Sequence, residues 1–395
     1  MHLAGLMDRL RAAEAGLRAI PSSDLLAAWG ATVEAFLDPG SPERRALDPE
    51  LARLTRLSPE GLAAGLEAVL GGVRTAPAAA LLAEAGSLPK GGGPVLVILA
   101  SNLPALAVQP LWPALALRRP VLLKSPSAEP LFAPAFLAAL VRREPRLEPA
   151  VAAAAWPGGD PVAADLEAPL LAGAGTVIAY GDEPALADLR RRAAGKLVEY
   201  GPKTSLAVVS GMGAVEGLAR RLARDIALFD QRGCLSVAAV YTTCDPEELA
   251  ARLEEGLARM WPPGPADPVA MSAVQQMRLE AEMRGLRRPR LPVLSGTVLV
   301  EPEPAFRPSP GLRTVRIHPL ANLDGLPDLL ALWKGKLQGA TLAGEDAWRL
   351  APALAGLGIS RCAAPGELQS PDVTWHNGGI HPLRSLSQQT QGSSR

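Results

Sequence analysis

The residue best placed to act as a nucleophile is Cys234, in Phe229-Asp230-Gln231-Arg232-Gly233-Cys234-Leu235-Ser236. The stretch is predicted to lie between a helix and a strand, where rigid elements hold a loop. Gly233 lets a substrate approach the backbone, and Arg232 is placed to favour the thiolate of a group whose free pKa is about 8.5. Spacing alone fits a buried, inert thiol better. By the same test Cys244 and Cys362 read as structural, the first before Asp245-Pro246 at a helix start, the second in Ile359–Ala364. Three cysteines without CxxC spacing argue against a disulfide framework or structural zinc. His2, His318, His376 and His381 share no metal-ligand spacing, so no metal is expected. Trp375-His376-Asn377-Gly378-Gly379 reads either as a turn docking the C-terminus or as catalytic.

No GxGxxG follows a predicted strand, and Gly91-Gly92-Gly93 precedes one. A phosphate has a place at the helix opening in Gly181-Asp182-Glu183-Pro184, although that spacing equally describes a plain β-α turn.

These residues need a scaffold. The 395 residues are 48% hydrophobic and 20% charged, enough for a multidomain globular chain. With 40 basic and 40 acidic residues there is no net field toward nucleic acid or an anionic membrane, which leaves a small molecule as the expected ligand. Reduced thiols and Asp8-Arg9 ahead of any apolar region predict a cytoplasmic protein without a signal peptide. The uncharged stretch 94–117 is long enough to span a bilayer but is broken by Pro104, Pro110 and Pro113, so no membrane span is expected.

Residues 1 to about 72 carry a helical period punctuated by Pro and Gly. From Gly91, apolar runs at 94–100, 121–124, 151–156, 176–180 and 196–200 alternate with helical stretches at 105–117, 130–142, 161–172 and 184–193. That alternation predicts β-α-β units and a parallel sheet. A second α/β stretch opens with strands at 206–210 and 236–242 flanking a helix at 215–228. Trp261–Pro268 and Glu301–Gly311 are expected to run over the surface, and residues 387–395 to fray.

Ser101-Asn102-Leu103-Pro104, Val121–Ser127, Ala179-Tyr180-Gly181-Asp182, Glu199-Tyr200-Gly201-Pro202-Lys203 and Gln231–Cys234 recur in the order of the aldehyde dehydrogenase superfamily. Phe229–Ser236, Trp156-Pro157-Gly158-Gly159-Asp160, Ile359–Gly366 and Trp375–Gly378 narrow this, so that the chain from about 90 to 386 resembles the acyl-CoA reductase (LuxC-type) family.

The resemblance implies an α/β, aldehyde dehydrogenase-like fold of two doubly wound parallel-sheet domains with an N-terminal helical cap. It sets a helical region at 1–90 packing on the cofactor domain, a nucleotide-binding domain at 91–203 and a catalytic domain at 204–365. A segment at 366–395 then returns to the cofactor domain or an oligomer interface. It implies Cys234 as the nucleophile holding an acyl thioester, Asn102 and the Cys234 N–H as oxyanion donors, and Glu199 at the position that activates water in aldehyde oxidation. For Glu199 we expect the role of base toward the Cys234 thiol, with solvation or pairing to Lys203 as the bland reading. Lys124 and Ser127 fall where the adenosine ribose or its phosphate is contacted, and Gly181 and Asp182 near the pyrophosphate. The implied reaction reduces an acyl-CoA or acyl-protein thioester to the aldehyde with NADPH, NADH being a second option, in a homo-oligomer. Two other readings are an aldehyde dehydrogenase working oxidatively and an acyl carrier or transferase without hydride chemistry. Two motifs depart from the superfamily: Gln231-Arg232-Gly233 precedes the cysteine, and Ser309-Pro310-Gly311-Leu312 stands where Glu-x-Phe-Gly-Pro is usual.

Overall fold

The computed structural model describes residues 5–158, 161–211, 215–287 and 289–387. His2, the Gly159-Asp160 end of the Trp156 motif and the tail from 388 lie outside the described residues.

Five helices open the chain: α1 (Leu6–Ala19), α2 (Ser22–Leu37), α3 (Pro42–Thr55), α4 (Pro59–Gly71) and α5 (Thr75–Ala85). Ser41 and Ser58 cap α3 and α4 through their hydroxyls, each with Pro in the first turn. The run Pro59–Ala85 has a mean hydropathy high enough for a membrane span. It breaks between α4 and α5, however, and Leu62, Leu66, Leu70, Leu81 and Leu82 are buried in the same core as Trp29 and Trp112.

A five-stranded parallel sheet follows, β1 (Val95–Ile98), β2 (Val121–Ser125), β3 (Val151–Ala155), β4 (Thr176–Tyr180) and β5 (Lys196–Tyr200), in the order β3-β2-β1-β4-β5. The period-2 alternation of β1 and β2 splits their side chains between two cores. Val95, Val97, Val121 and Leu123 join the core of Trp29, Trp112 and Phe136, while Leu96 and Leu122 join Leu170, Leu186 and Leu10 of α1. Both faces are thereby covered, as a parallel sheet requires.

Gly201, Pro202 and Lys203 alone connect this sheet to the next, six parallel strands in the order β11-β10-β6-β7-β9-β8. These are β6 (Thr204–Val209), β7 (Val237–Thr242), β8 (Thr297–Val300), β9 (Thr314–Pro319), β10 (Leu337–Ala343) and β11 (Arg361–Ala363).

The two loops expected at the surface are exposed along much of their length and anchored inward at single residues. In the 261–268 loop Pro262, Pro265, Asp267 and Pro268 are exposed, while the Gly264 N–H donates to buried Asp230, Arg313 donates to the Trp261 carbonyl, and a Cβ on Gly264 would meet the Arg56 carbonyl oxygen at 2.1 Å. In the 301–311 loop Pro302 to Ala305 are exposed, while Glu301 is buried in ion pairs with Arg316 and Arg284 and Phe306 is buried. The N-terminal helices also reach beyond the first sheet, since Phe229 of the second half stacks where a Cβ on Gly65 of α4 would sit, 2.5 Å away.

Candidate active site

A cavity of about 600 Å³ opens where the two sheets meet. Asn102 after β1 and Tyr180-Gly181-Asp182 at the end of β4 line one wall, and Lys203, Cys234 and Gln369 lie opposite. In the order β3-β2-β1-β4-β5 the chain reverses direction of travel between β1 and β4, the switch point at which open α/β sheets form a ligand crevice.

Cys234 sits after a turn that its own sequence disfavours. Phe229, Asp230 and Gln231 have φ of 56°, 49° and 66°, a left-handed conformation costing about 1–2 kcal/mol per residue for non-glycine residues. Side chains hold it. Asp230 pairs with buried Arg313 through Oδ1 at 3.0 and 2.7 Å and accepts the Gly264 N–H through Oδ2 at 3.0 Å. Gln231 donates to the Val237 and Thr314 carbonyls and accepts the Thr314 N–H, all at 2.7 Å. A Cβ on Gly233 would lie 3.0 Å from Gln369 Oε1, so any larger residue requires that side chain to shift. The Ser236 hydroxyl accepts from the Gly233 N–H and donates to Gln369, and Ser205 donates to the Cys234 carbonyl at 2.8 Å.

Burial pushes the Cys234 thiol up to about 11, opposed by its own N–H, that of Leu235 and the Lys203 ammonium. The cation that favours the thiolate is thus Lys203. Arg232, expected in that role, instead turns its guanidinium onto the Phe229 and Thr55 carbonyls at 2.9 and 2.6 Å, where the end of α3 presents unpaired carbonyls. Asn102 reaches the same loop, its Nδ2 donating to the Arg232 carbonyl at 3.1 Å, and its Oδ1 is buried without a partner.

Glu199 is among the residues lining the cavity, and its carboxylate is held by Arg190, with Nε 2.9 Å from Oε1 and Nη2 2.5 Å from Oε2. The partner is neither Cys234 nor Lys203. In this conformation the carboxylate faces the Arg190 fork, and no hydrogen bond joins it to Cys234, so the expected role as base toward the thiol has no contact here to support it. Gly181 and Asp182 border the cavity, Asp182 capping the helix Glu183–Arg192 through the Ala185 N–H at 3.0 Å. Lys124 and Ser127 do not border it. Lys124 is only 6% exposed, its Nζ 5.4 Å from the centre of the Trp156 ring, and Ser127 donates to the Trp156 carbonyl. Ser309 and Gly311 reach the cavity wall, and Ser309 bonds to Gln231 and Thr314, so that stretch braces the turn and brings no carboxylate. No cluster of metal-ligating side chains occurs among the described residues.

Some contributors were named in the sequence without the role their contacts give them, and the Tyr180–Tyr200 stack was not foreseen. Lys203 was legible only as part of a motif. Tyr180 and Tyr200 stack with ring centres 4.7 Å apart at adjacent strand ends. The C-terminal segment roofs the cavity through Trp375, Asn377 and Gly378, anchored by Trp375 on the Ser360 carbonyl and by Gln338 on Asn377. The docking reading of that cluster is the one its contacts support.

Comparison with known proteins gives concordant findings. The family model described as acyl-CoA reductase (LuxC) matches residues 53–389. A long-chain acyl-protein thioester reductase of Aliivibrio fischeri is 23% identical over 235 residues, 57% of this chain and 48% of that protein. A long-chain acyl-protein thioester reductase 2 of Photobacterium leiognathi is 26% identical over 178 residues, 43% of this chain and 36% of that protein. The matches thus span half or less of the curated relatives' length. Among solved structures, an NAD-dependent benzaldehyde dehydrogenase from Corynebacterium glutamicum superposes with a TM-score of 0.71 at 14% identity over 98% of this chain and 89% of that one. An NADP-dependent glyceraldehyde-3-phosphate dehydrogenase from Bacillus halodurans, complexed with NADP, gives 0.70 at 14% over 92% and 82%. The fold is that of the aldehyde dehydrogenases.

Proposed function

The chain belongs to the acyl-CoA reductase (LuxC) family, and from that premise we propose that it reduces an acyl-CoA or acyl-protein thioester to the aldehyde with NADPH, through a thioester on Cys234. The observation carrying this reading is the placement of Cys234, on a turn fixed by Asp230 and Gln231, in one cavity with Asn102 and the start of the helix Glu183–Arg192.

A nicotinamide dinucleotide suits this crevice, which lies at the switch point beside a helix N-terminus with Gly181 open to close approach. When bound, it supplies hydride. Gly181 and Asp182 would lie by its pyrophosphate, and Lys124 and Ser127, which stand outside the cavity lining at the end of β2, would serve the adenosine side. No carboxylate follows Lys124 to repel a 2′-phosphate, which favours NADPH with NADH as the second option.

Cys234 attacks the acyl carbonyl, and its proton leaves with the departing thiol, so the exchange of one thioester for another balances without an external base. Lys203 favours the developing thiolate. Asn102 and the Cys234 N–H stabilise the tetrahedral oxyanion, a donor of this kind contributing roughly 3–4 kcal/mol. After reduction, collapse of the thiohemiacetal returns Cys234 and releases aldehyde. Three free cysteines fit a reducing cytoplasm, and a homo-oligomer follows from the family resemblance.

The carrier reading draws on the missing carboxylate at Ser309–Leu312. Loss of NADPH absorbance on adding acyl-CoA of several chain lengths tests the proposal; acylation of Cys234 without any NADPH or NADH oxidation would favour the carrier instead.

A further inference from the structure

An enzyme that stores an acyl group on a thiol must keep water from reaching it. Any free carboxylate lining the same cavity is a hazard, since general-base activation of water speeds such attack by roughly 10²–10⁴-fold. Glu199 is a carboxylate residue on the lining of the cavity that holds Cys234, and its oxygens are engaged by Arg190.

We propose that Arg190 is a positioning residue that holds Glu199 turned away from the acyl-enzyme and so commits the thioester to reduction over hydrolysis. The inference rests on the acyl-enzyme reading above and adds the determinant of its product.

The Arg190 side chain is 45% exposed and that of Glu199 26%, so fork geometry and not burial holds the pair. Arg190 stands in the last turn of the helix Glu183–Arg192, and Glu199 on β5, the strand that follows. The guanidinium is fixed at both ends: Nη1 donates to Glu183 Oε1 at 2.5 Å, while Nε and Nη2 engage Glu199. Nε lies 2.9 and 3.0 Å from the two Glu199 oxygens, so both oxygens face the fork. A planar fork holds a carboxylate in one orientation, which a lysine cannot do. Glu183 occupies the third corner as a second carboxylate partner of the same guanidinium.

The step it prevents is simple. Released, the Glu199 carboxylate takes a proton from water as the water oxygen adds to the thioester carbonyl. The tetrahedral adduct then expels Cys234 sulfur, giving free acid, and the proton returns to the thiolate. Acyl transfer to water needs no oxidant or reductant.

The test uses the full chain loaded with acyl-CoA without nicotinamide, following the Cys234 adduct by mass spectrometry and free acid by chromatography. R190A is expected to shorten the adduct lifetime at least about tenfold with matching release of acid. R190K is expected to fall between R190A and wild type, and R190A/E199Q to regain the long lifetime, a recovery that general loosening of the fold would not produce. An adduct equally durable in R190A and wild type overturns the proposal while leaving the acyl-enzyme reading intact, as does a double variant that stays short-lived. Absence of any adduct in wild type removes the acyl-enzyme reading itself.

Discussion

The side-chain amide of Asn102 donates to the carbonyl of Arg232 at 3.1 Å, joining the loop after β1 to a residue two positions before Cys234. One bond therefore couples the cofactor-side sheet to the nucleophile turn. Of the two amide hydrogens one serves the loop, and the oxyanion role proposed for Asn102 draws on the other.

Asn102→Ala should accordingly slow acylation of Cys234 by roughly 10²–10³-fold. Rapid-quench measurement of adduct formation, with circular dichroism as a control on folding, checks this. Acylation at the wild-type rate would remove Asn102 from the oxyanion site.

Lys203 opposes the burial that raises the Cys234 thiol to about 11. A thiol ionises to an anion, so removing the neighbouring cation raises its pKa further, and Lys203→Met should move the acylation–pH profile upward by roughly one pH unit while Lys203→Arg holds it closer to wild type. Profiles between pH 6 and 10 decide the matter; superimposed curves would mean that Lys203 does not act on the thiol.

Asp225 lies fully buried behind the active-site roof, accepting from Thr341 and the Gly366 N–H at 2.8 Å and the Leu368 N–H at 3.2 Å. Burial raises its carboxyl to about 6 against these hydrogen bonds. Because the folded value exceeds the ordinary 3.8, the contribution is fully present below about pH 4 and is lost as pH rises through about 6. It amounts to on the order of 3 kcal/mol. Denaturant titrations of wild type and Asp225→Asn should show a stability difference that shifts against wild type from pH 4 to 7, and a difference independent of pH would contradict the assignment.

Both cofactors bear on Lys124. NADPH should give the higher kcat/KM, and Lys124→Ala should reduce that advantage by weakening the floor beneath Trp156, the ring 5.4 Å from its Nζ. Steady-state comparison of NADPH with NADH is the check, and a strong NADH preference unaffected by the substitution would refute the placement.

Much of this architecture was legible in the chain. The alternation of apolar runs and helical stretches located β1 to β7 because each is bounded by Gly, Pro or a helix start, as in Gly181-Asp182-Glu183-Pro184. β8 to β11 escaped notice. β8 and β11 are short, and the longer β10 reads Leu-Gln-Gly-Ala-Thr-Leu-Ala, its apolar run interrupted by Gln338 and by Gly339, where a Cβ would meet the Leu235 side chain at 2.8 Å. At the site, residue type and motif pointed to Cys234 and Asn102, whereas the partners of Arg232 and Glu199 were hidden. Arg232 finds α3, 177 residues earlier at Thr55, and Glu199 finds Arg190 on an adjacent helix. Which of several nearby cations a carboxylate selects is decided by tertiary packing, which no local spacing records.

The central claim is that Cys234 carries the acyl group. Mass spectrometry after mixing with acyl-CoA should show one acyl adduct in wild type, Cys244→Ala and Cys362→Ala, and none in Cys234→Ala, where NADPH oxidation is lost as well. An adduct that persists in Cys234→Ala would contradict the account.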